Sequence, residues 1–376
     1  MKILIISRSF YPMNTPRAFR TTELVKEFSR IGHEVTLYTH MDNKQKGFKK
    51  KYKLNLKVLP TPRWKTPNLG THKIPKLVNR AFYRILSNYL DFPSCEYYFL
   101  VKNALKNEKN YDLLISIAIP HTIHWGVAGA LRVNKNLTKT WIADCGDPYL
   151  IVENDTFQKP FYFKYLERWW AKRVDFITVP VQGAIKAYNH SIQTKIKVIP
   201  QGFNFDEIKT LVKGINRSYN KVPTFIYGGG FIPNNRDPRQ FLEYLNSLKV
   251  NFKFYVYTNK LELVQYYADK SQNRIEIFPI ISRNEFLKVL VKMDFVVNFE
   301  NKGNNQVPSK LIDYAILNKP ILSVSSQDIP KATIDNFLKG NYEDAYIVAN
   351  VENYNIKNVV ENFLSLHEYN DKVKKS

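Results

Sequence analysis

The sequence is poor in cysteine and short of acid. Of its 376 residues two are cysteine, Cys95 and Cys145, too few for a disulfide scaffold and without the spacing of a metal site. Lysine and arginine number 56 against 33 aspartates and glutamates, a formal charge of +23. Such an excess implies a polyanionic partner: nucleic acid, anionic lipid headgroups or a phosphorylated substrate. Long apolar runs are missing too. Arg8 interrupts the opening MKILIISRSF before it reaches signal-peptide length, and no stretch approaches the ~18 apolar residues of a spanning helix. The expected place is therefore the cytoplasm, peripheral at a membrane face. The first strand-to-helix loop has no G-x-G-x-x-G, which removes the dinucleotide fingerprint, and there is no internal repeat or low-complexity segment.

What is present is apolar material for two cores. Hydrophobic residues make up 44% and aromatic residues 14% of the chain, and this length exceeds what one core usually fills. Apolar strands (Lys2–Ser7, Glu34–Thr39, Asp112–Pro120, Lys139 onward, Ile196 onward) alternate with helical segments. The alternation then restarts with TFIYGG, FKFYVYT, RIEIFPI, DFVVNF, ILSV and AYIVAN. This predicts an α/β protein of two Rossmann-like, doubly wound parallel sheets. Residues 205–222 lose periodicity and gain charge and read as a linker. It separates an N-terminal domain, 1–204, from a C-terminal one, 223–354, and a helix over 355–376 is able to return to the first.

The most informative stretch is Asn304–Val324, NNQVPSKLIDYAILNKPILSV. It follows the apolar strand DFVVNFE, opens a helix at Pro308–Ser309, stops it at Asn318 and Pro320, and begins another strand. Lys310 and Asp313 are the charged pair on a mostly apolar helix, three residues apart and so on one face. A helix start at the carboxyl end of a strand is where open α/β sheets bind ligands and where the dipole favours phosphate. A cation there meets a diphosphate, and a carboxylate accepts both hydroxyls of a ribose. The plain alternative is an aspartate complementing the dipole beside a solvated lysine.

Other candidates flank this unit. Gly228–Gly230 let backbone approach a ligand, and Arg236 or Arg239 beyond them can grip phosphate oxygens; surface arginine is the alternative. His121 and His124 follow the carboxyl end of a strand, where a lone histidine is more often structural. Asp144 and Asp147 either cap a helix or line the site, and Arg17 and Arg20 open the first helix. Seven lysines between Lys44 and Lys57 read as a solvated loop. Beside them, Lys76–Leu90 has one broad apolar face and carries Lys76, Arg80 and Arg84 on another, a basic amphipathic helix suited either to anionic lipid or to packing in the core. Lys49, Lys50, Lys51, Arg80 and Arg84 are the expected membrane-facing cations.

Four pieces in order, MKILIIS…FYP…R…L…GHEVTLYT, SIAIPH…WIADCGDP, KVIPQGFNFDEI and VPSKLIDYAILNKPIL, are similar to segments of the retaining family 4 glycosyltransferases. The chain resembles that family, in its bacterial surface-polysaccharide branch, over essentially its whole length. The resemblance implies a GT-B fold, with two Rossmann-like domains facing across a cleft, and a metal-independent transferase of the hexosyltransferase kind. It needs no cofactor beyond the nucleotide-diphosphate-sugar co-substrate. The family signature is a glutamate, seven residues and a second glutamate. Asp313 falls on the second, which holds the ribose, and Asn305 on the first, which contacts the donor sugar. That departure suits a different sugar or moves the role to Asn304 or Gln306. The resemblance further implies that Arg236, rather than Arg239, grips the diphosphate with Lys310 in place of the usual lysine. It puts His121 near the donor sugar and Ile281 by the base, with Gly229 and Ser309 lining the site. The implied partners are a nucleotide sugar, a lipid-linked glycan acceptor and the inner-membrane surface, with no nucleic acid. The competing readings are a nucleotide-sugar 2-epimerase of the same fold, which needs paired carboxylates, and a basic nucleic-acid- or membrane-binding protein without catalysis.

Overall fold

The computed structural model describes residues 1–65, 73–150, 159–216, 220–300 and 309–376, and of 73–77 the backbone alone. The chain forms two compact units, Met1–Phe203 with Asn355–Ser376, and Asn204–Tyr354.

The first unit runs β1 (Lys2–Ile6), α1 (Pro16–Arg30), β2 (Glu34–Thr39), α2 (Gln45–Lys51), β3 (Asn55–Val58), α3 (Lys73–Leu90), α4 (Tyr97–Ala104) and β4 (Tyr111–Ile117). It continues through α5 (Thr122–Val133), β5 (Thr138–Asp144), α6 (Phe163–Ala171), β6 (Phe176–Val179), α7 (His190–Gln193) and β7 (Ile196–Val198). All neighbours in its sheet pair parallel, in the order β3-β2-β1-β4-β5-β6-β7. Both faces are covered, so the central strands are apolar without alternation. Leu4, Ile6, Leu114 and Trp141 point into one core with Val101, Val127 and Trp170, and Ile3, Ile5, Leu113 and Ile142 into the other with Leu24 and Phe28.

The second unit runs α8 (Phe205–Val212), β8 (Thr224–Gly228), α9 (Arg239–Ser247), β9 (Lys253–Tyr257), α10 (Gln265–Lys270), β10 (Ile275–Phe278) and α11 (Arg283–Leu290). It closes with β11 (Phe295–Phe299), α12 (Ser309–Ile316), β12 (Ile321–Val324) and α13 (Lys331–Leu338). Its sheet is parallel in the order β10-β9-β8-β11-β12. Phe225 stacks on Phe254 and Phe295 with ring centroids 4.7 and 4.4 Å apart at the centre of its core. The last helix, α14 (Ile356–Lys375), is capped by Asn355 and belongs to the first unit, where Val359, Val360 and Phe363 pack with Leu24 and Phe28 of α1.

Three expectations need correction. The lysine-rich stretch is not a loop: it forms α2 and β3, because Leu54, Leu56 and Leu59 are buried between solvated lysines and β3 pairs with β2. The start of the expected linker is α8, whose Phe205 and Ile208 are buried behind the cap of Asn204. AYIVAN forms no strand. The Tyr346 N–H donates to the Ile321 carbonyl at 2.8 Å, but Tyr346 and Ile347 are exposed and Val348 alone of the segment is buried, so no ladder follows.

In both sheets the strand order reverses once, between β1 and β4 and between β8 and β11. Loops diverge at such points beyond the carboxyl ends of the strands, which leaves a crevice for a ligand.

Candidate functional site

In the second unit, the loop after β8 and the start of α12 meet at this reversal. Lys310, in the first turn of α12, donates from Nζ to the Gly228 carbonyl. Its Nζ also lies 5.8 Å from the Tyr227 ring centroid. The glycines are required by packing: a Cβ on Gly228 would strike the Phe286 ring, and one on Gly229 would strike Lys310 Nζ and lie 2.9 Å from Tyr227 Oη. Tyr227 Oη donates to the Gly230 carbonyl at 3.0 Å, which fixes the loop. A tight turn, closed by Ile232 N–H on the Arg236 carbonyl at 3.1 Å, then returns Arg236 toward Lys310. Arg236 Nε is buried without a partner. Burial first, and then the Arg236 charge, pull the Lys310 pKa down to about 8. Two cations with unspent donors beside a glycine loop that carries no side chains make a site for a phosphate-bearing group.

Asp313 is one turn further along α12 and 6% exposed. Burial pushes its pKa up, while hydrogen bonds and charge from Arg283 oppose the rise. Arg283 approaches as a fork, Nε to Oδ2 at 2.9 Å and Nη2 to Oδ1. It is the first residue of α11, held there by Ser282 and Glu285 in a reciprocal cap. Ile281, half-buried, stands immediately before that cap, and Ser309 is the exposed first residue of α12. Thus the structure gathers Gly229, Arg236, Lys310 and Asp313 around one helix start. Arg239 does not join them; it is turned onto Asp237 in an ion pair of 2.6 Å. Asn305, with Asn304 and Gln306, lies outside the described residues. Sequence reasoning missed Arg283 and Tyr227. The available signals were an arginine two residues after Ile281 and an aromatic residue directly before a run of three glycines.

In the first unit, the corresponding reversal carries His121, just past β4 and directly before α5. His121 Nε2 is 3.1 Å from the Asp147 carbonyl, so the proton sits on Nε2 and Nδ1 is left as an acceptor. Nδ1 is buried and has no partner. Burial lowers the His121 pKa to about 4, so the ring is neutral. His124 is spent internally: Nδ1 faces Ser116 Oγ at 2.8 Å and Nε2 faces Cys145 Sγ at 3.4 Å, while Ser116 accepts from Trp141 Nε1. His121, His124 and Cys145 are also the one group of three possible metal-binding side chains among the described residues. Its nitrogen and sulfur donors differ from the oxygen donors that bind a magnesium–phosphate complex. Asp144 is held by Arg20 at 2.8 Å and Arg17 at 3.5 Å, and the Arg17 guanidinium lies where a Cβ on Gly146 would be. Lys49, Lys50 and Lys51 are exposed on α2, and Arg80 and Arg84 on α3.

No family model matches the chain, and no curated protein matches it. Solved structures do. A glycosyltransferase from Rickettsia africae ESF-5 superposes with a TM-score of 0.65 over 99% of this chain and 98% of its own, at 13% identity. The chain has the GT-B fold. HepE from Anabaena in complex with UDP aligns over 97% of this chain and 99% of its own, with a TM-score of 0.59 and 11% identity. Sucrose-phosphate synthase from Thermosynechococcus elongatus aligns over the whole of both chains, with a TM-score of 0.55 and 13% identity. At these identities it is the GT-B architecture that is shared.

Proposed function

We propose that this chain is a retaining glycosyltransferase of the family 4 kind, moving a hexose from a nucleotide-diphosphate sugar to a lipid-linked glycan in bacterial surface-polysaccharide synthesis. The observation that carries the reading is the meeting of Lys310, Arg236 and Gly229 at the strand-order reversal, with Asp313 one turn along the same helix. The neighbour HepE has been solved with UDP and with UDP-glucose, which supports a nucleotide sugar as the ligand.

In this reading the diphosphate lies against the start of α12. Lys310 and Arg236 take the charge that develops as the bond from the anomeric carbon to the diphosphate oxygen breaks. An electrostatic contact of this kind contributes about 2.7–4 kcal/mol per donor group. The acceptor hydroxyl bonds to the anomeric carbon from the same face, and its proton passes to the departing diphosphate oxygen, so no enzyme nucleophile is required. Asp313 accepts the ribose hydroxyls, Ile281 covers the base, and Ser309 offers its backbone N–H to the phosphates, while Gly229, whose own N–H is given to the Tyr257 carbonyl at 2.8 Å, keeps the space beside Lys310 Nζ free of a side chain. The neutral His121, with Nδ1 open, suits a hydrogen bond from a sugar hydroxyl. Charge compensation by side chains makes the proposed transfer metal-independent. With its acceptor on a lipid, the enzyme works peripherally at the cytoplasmic membrane face, and Lys49, Lys50, Lys51, Arg80 and Arg84 are its membrane-facing cations. The epimerase alternative needs paired free carboxylates, whereas Asp144 and Asp313 are each tied to arginine.

The test is release of nucleoside diphosphate from a panel of UDP-, GDP- and ADP-sugars. One donor is expected to be consumed, with Lys310→Ala and Asp313→Ala slower by roughly 100-fold or more. Turnover of none of the panel, or wild-type rates in either variant, contradicts the assignment.

A further inference from the structure

The +23 charge is concentrated in one part of the chain. Between Asn43 and Leu90 there are thirteen lysines and arginines and no aspartate or glutamate. Helix α3 lies at the end of this stretch, and its apolar side faces solvent. Val78, Phe82, Ile85 and Tyr89 recur at helical spacing and are 61, 53, 55 and 52% exposed. Arg80 and Arg84 stand exposed on the same helix.

The helix is held at its C-terminal end through backbone groups. Lys159 Nζ donates to the Ser87 carbonyl at 3.3 Å, and Tyr162 Oη donates to the Tyr89 carbonyl. More exposed aromatic surface surrounds that end. Trp64 stacks on Phe92 at 5.9 Å and meets Phe99 edge-on at 6.5 Å. Trp64, Phe99, Phe161 and Tyr165 are all 44% exposed or more. The two acids nearest in sequence are already occupied. Asp91 pairs with Lys159 at 2.9 Å, and Glu96 accepts from the backbone N–H groups of Arg63 and Trp64 at 3.0 and 2.8 Å.

We infer that α3 and the aromatic cluster at its C-terminal end form a docking surface for an anionic lipid bilayer. The Val78–Phe82–Ile85–Tyr89 stripe enters the headgroup–acyl boundary, Trp64 and its neighbours sit at interface depth, and Arg80 and Arg84 meet lipid phosphates. Cations of one sign beside an aliphatic stripe favour this occupant. Nucleic acid would use the cations but leave the stripe in water. A second copy of the chain would bring Arg80 and Arg84 against their own like charges. The inference deepens the membrane placement proposed above by assigning its surface, and it needs no glycosyl transfer to be true.

The test uses the full chain without nucleotide sugar. Co-sedimentation is measured with phosphatidylcholine vesicles and with vesicles containing phosphatidylglycerol. Binding is expected to the anionic vesicles and to weaken with salt. Phe82→Asp is expected to weaken it at least roughly tenfold, and the pair Arg80→Glu, Arg84→Glu roughly 25-fold or more. Circular dichroism of the variants should match wild type, since the altered side chains are exposed. Four results would overturn the inference: no binding to anionic vesicles at low salt, equal binding by Phe82→Asp, stronger retention on RNA than on vesicles, or a dimer that Phe82→Asp dissociates in a chain without vesicle affinity. A chain that binds vesicles but turns over no donor removes the transferase reading and leaves this one standing.

Discussion

Lys310 is exposed as a residue, but its ammonium is partly desolvated against the Gly228 carbonyl and the Tyr227 ring beside a neighbouring arginine, and its pKa of about 8 follows from that desolvation and charge. With the folded value below the unfolded one, the folded chain binds fewer protons between pH ~8 and ~10.4. This group's contribution to stability therefore rises with pH across that window. Binding of a diphosphate should run the other way, because the cation it needs is lost above pH 8. Nucleoside diphosphate affinity is expected to fall as pH rises past 8 in wild type and to stay flat in Lys310→Met; a flat wild-type profile contradicts the assignment. Arg283 gives a second residue-level prediction. Removing it leaves a buried carboxylate unpaired, at a cost of about 2 kcal/mol, near the low end for buried pairs because Arg283 is more than one-third exposed. Arg283→Met should show that loss in urea denaturation, and adding Asp313→Asn should recover most of it.

At the scale of elements, helix α5 lies so close to α4 that a Cβ on Gly126 would stand 2.5 Å from Val101 Cβ and 3.1 Å from the Tyr97 carbonyl. Gly126→Ala should thus destabilise the first unit by about 1–3 kcal/mol through overpacking, measured as a lower denaturation midpoint; an unchanged midpoint would show that α4 yields freely. The same close packing explains the second glycine of α5, since a Cβ on Gly129 would strike the Tyr98 ring. Central strands such as KILII and YDLLISI were legible because burial on both faces leaves no polar alternation to confuse them. The edge was harder to read. β3 has one inward leucine among lysines, so charge hid its pairing with β2, whereas AYIVAN has the composition of a strand but buries Val348 alone. Site residues followed the same rule. Lys310 and Asp313 stood out as charges on an apolar helix, but Arg283 was invisible because its partner is 30 positions away and only the fold brings them together.

For the whole molecule, two parallel sheets of seven and five strands each reverse order once, and each reversal carries a distinct kind of chemistry. The first presents a neutral imidazole, His121, and the second a cationic glycine-rich loop beside a carboxylate. The central claim, that the second unit holds a nucleoside diphosphate between Lys310, Arg236 and Asp313, is tested most directly by ligand-dependent thermal melting. At a hundredfold excess over Kd, a matching nucleoside diphosphate should stabilise the wild-type chain by about 2.7 kcal/mol and raise its Tm, with Lys310→Met and Asp313→Ala showing little or no rise. Failure of UDP, GDP and ADP alike to raise the wild-type Tm, or an equal rise in Lys310→Met, would contradict it.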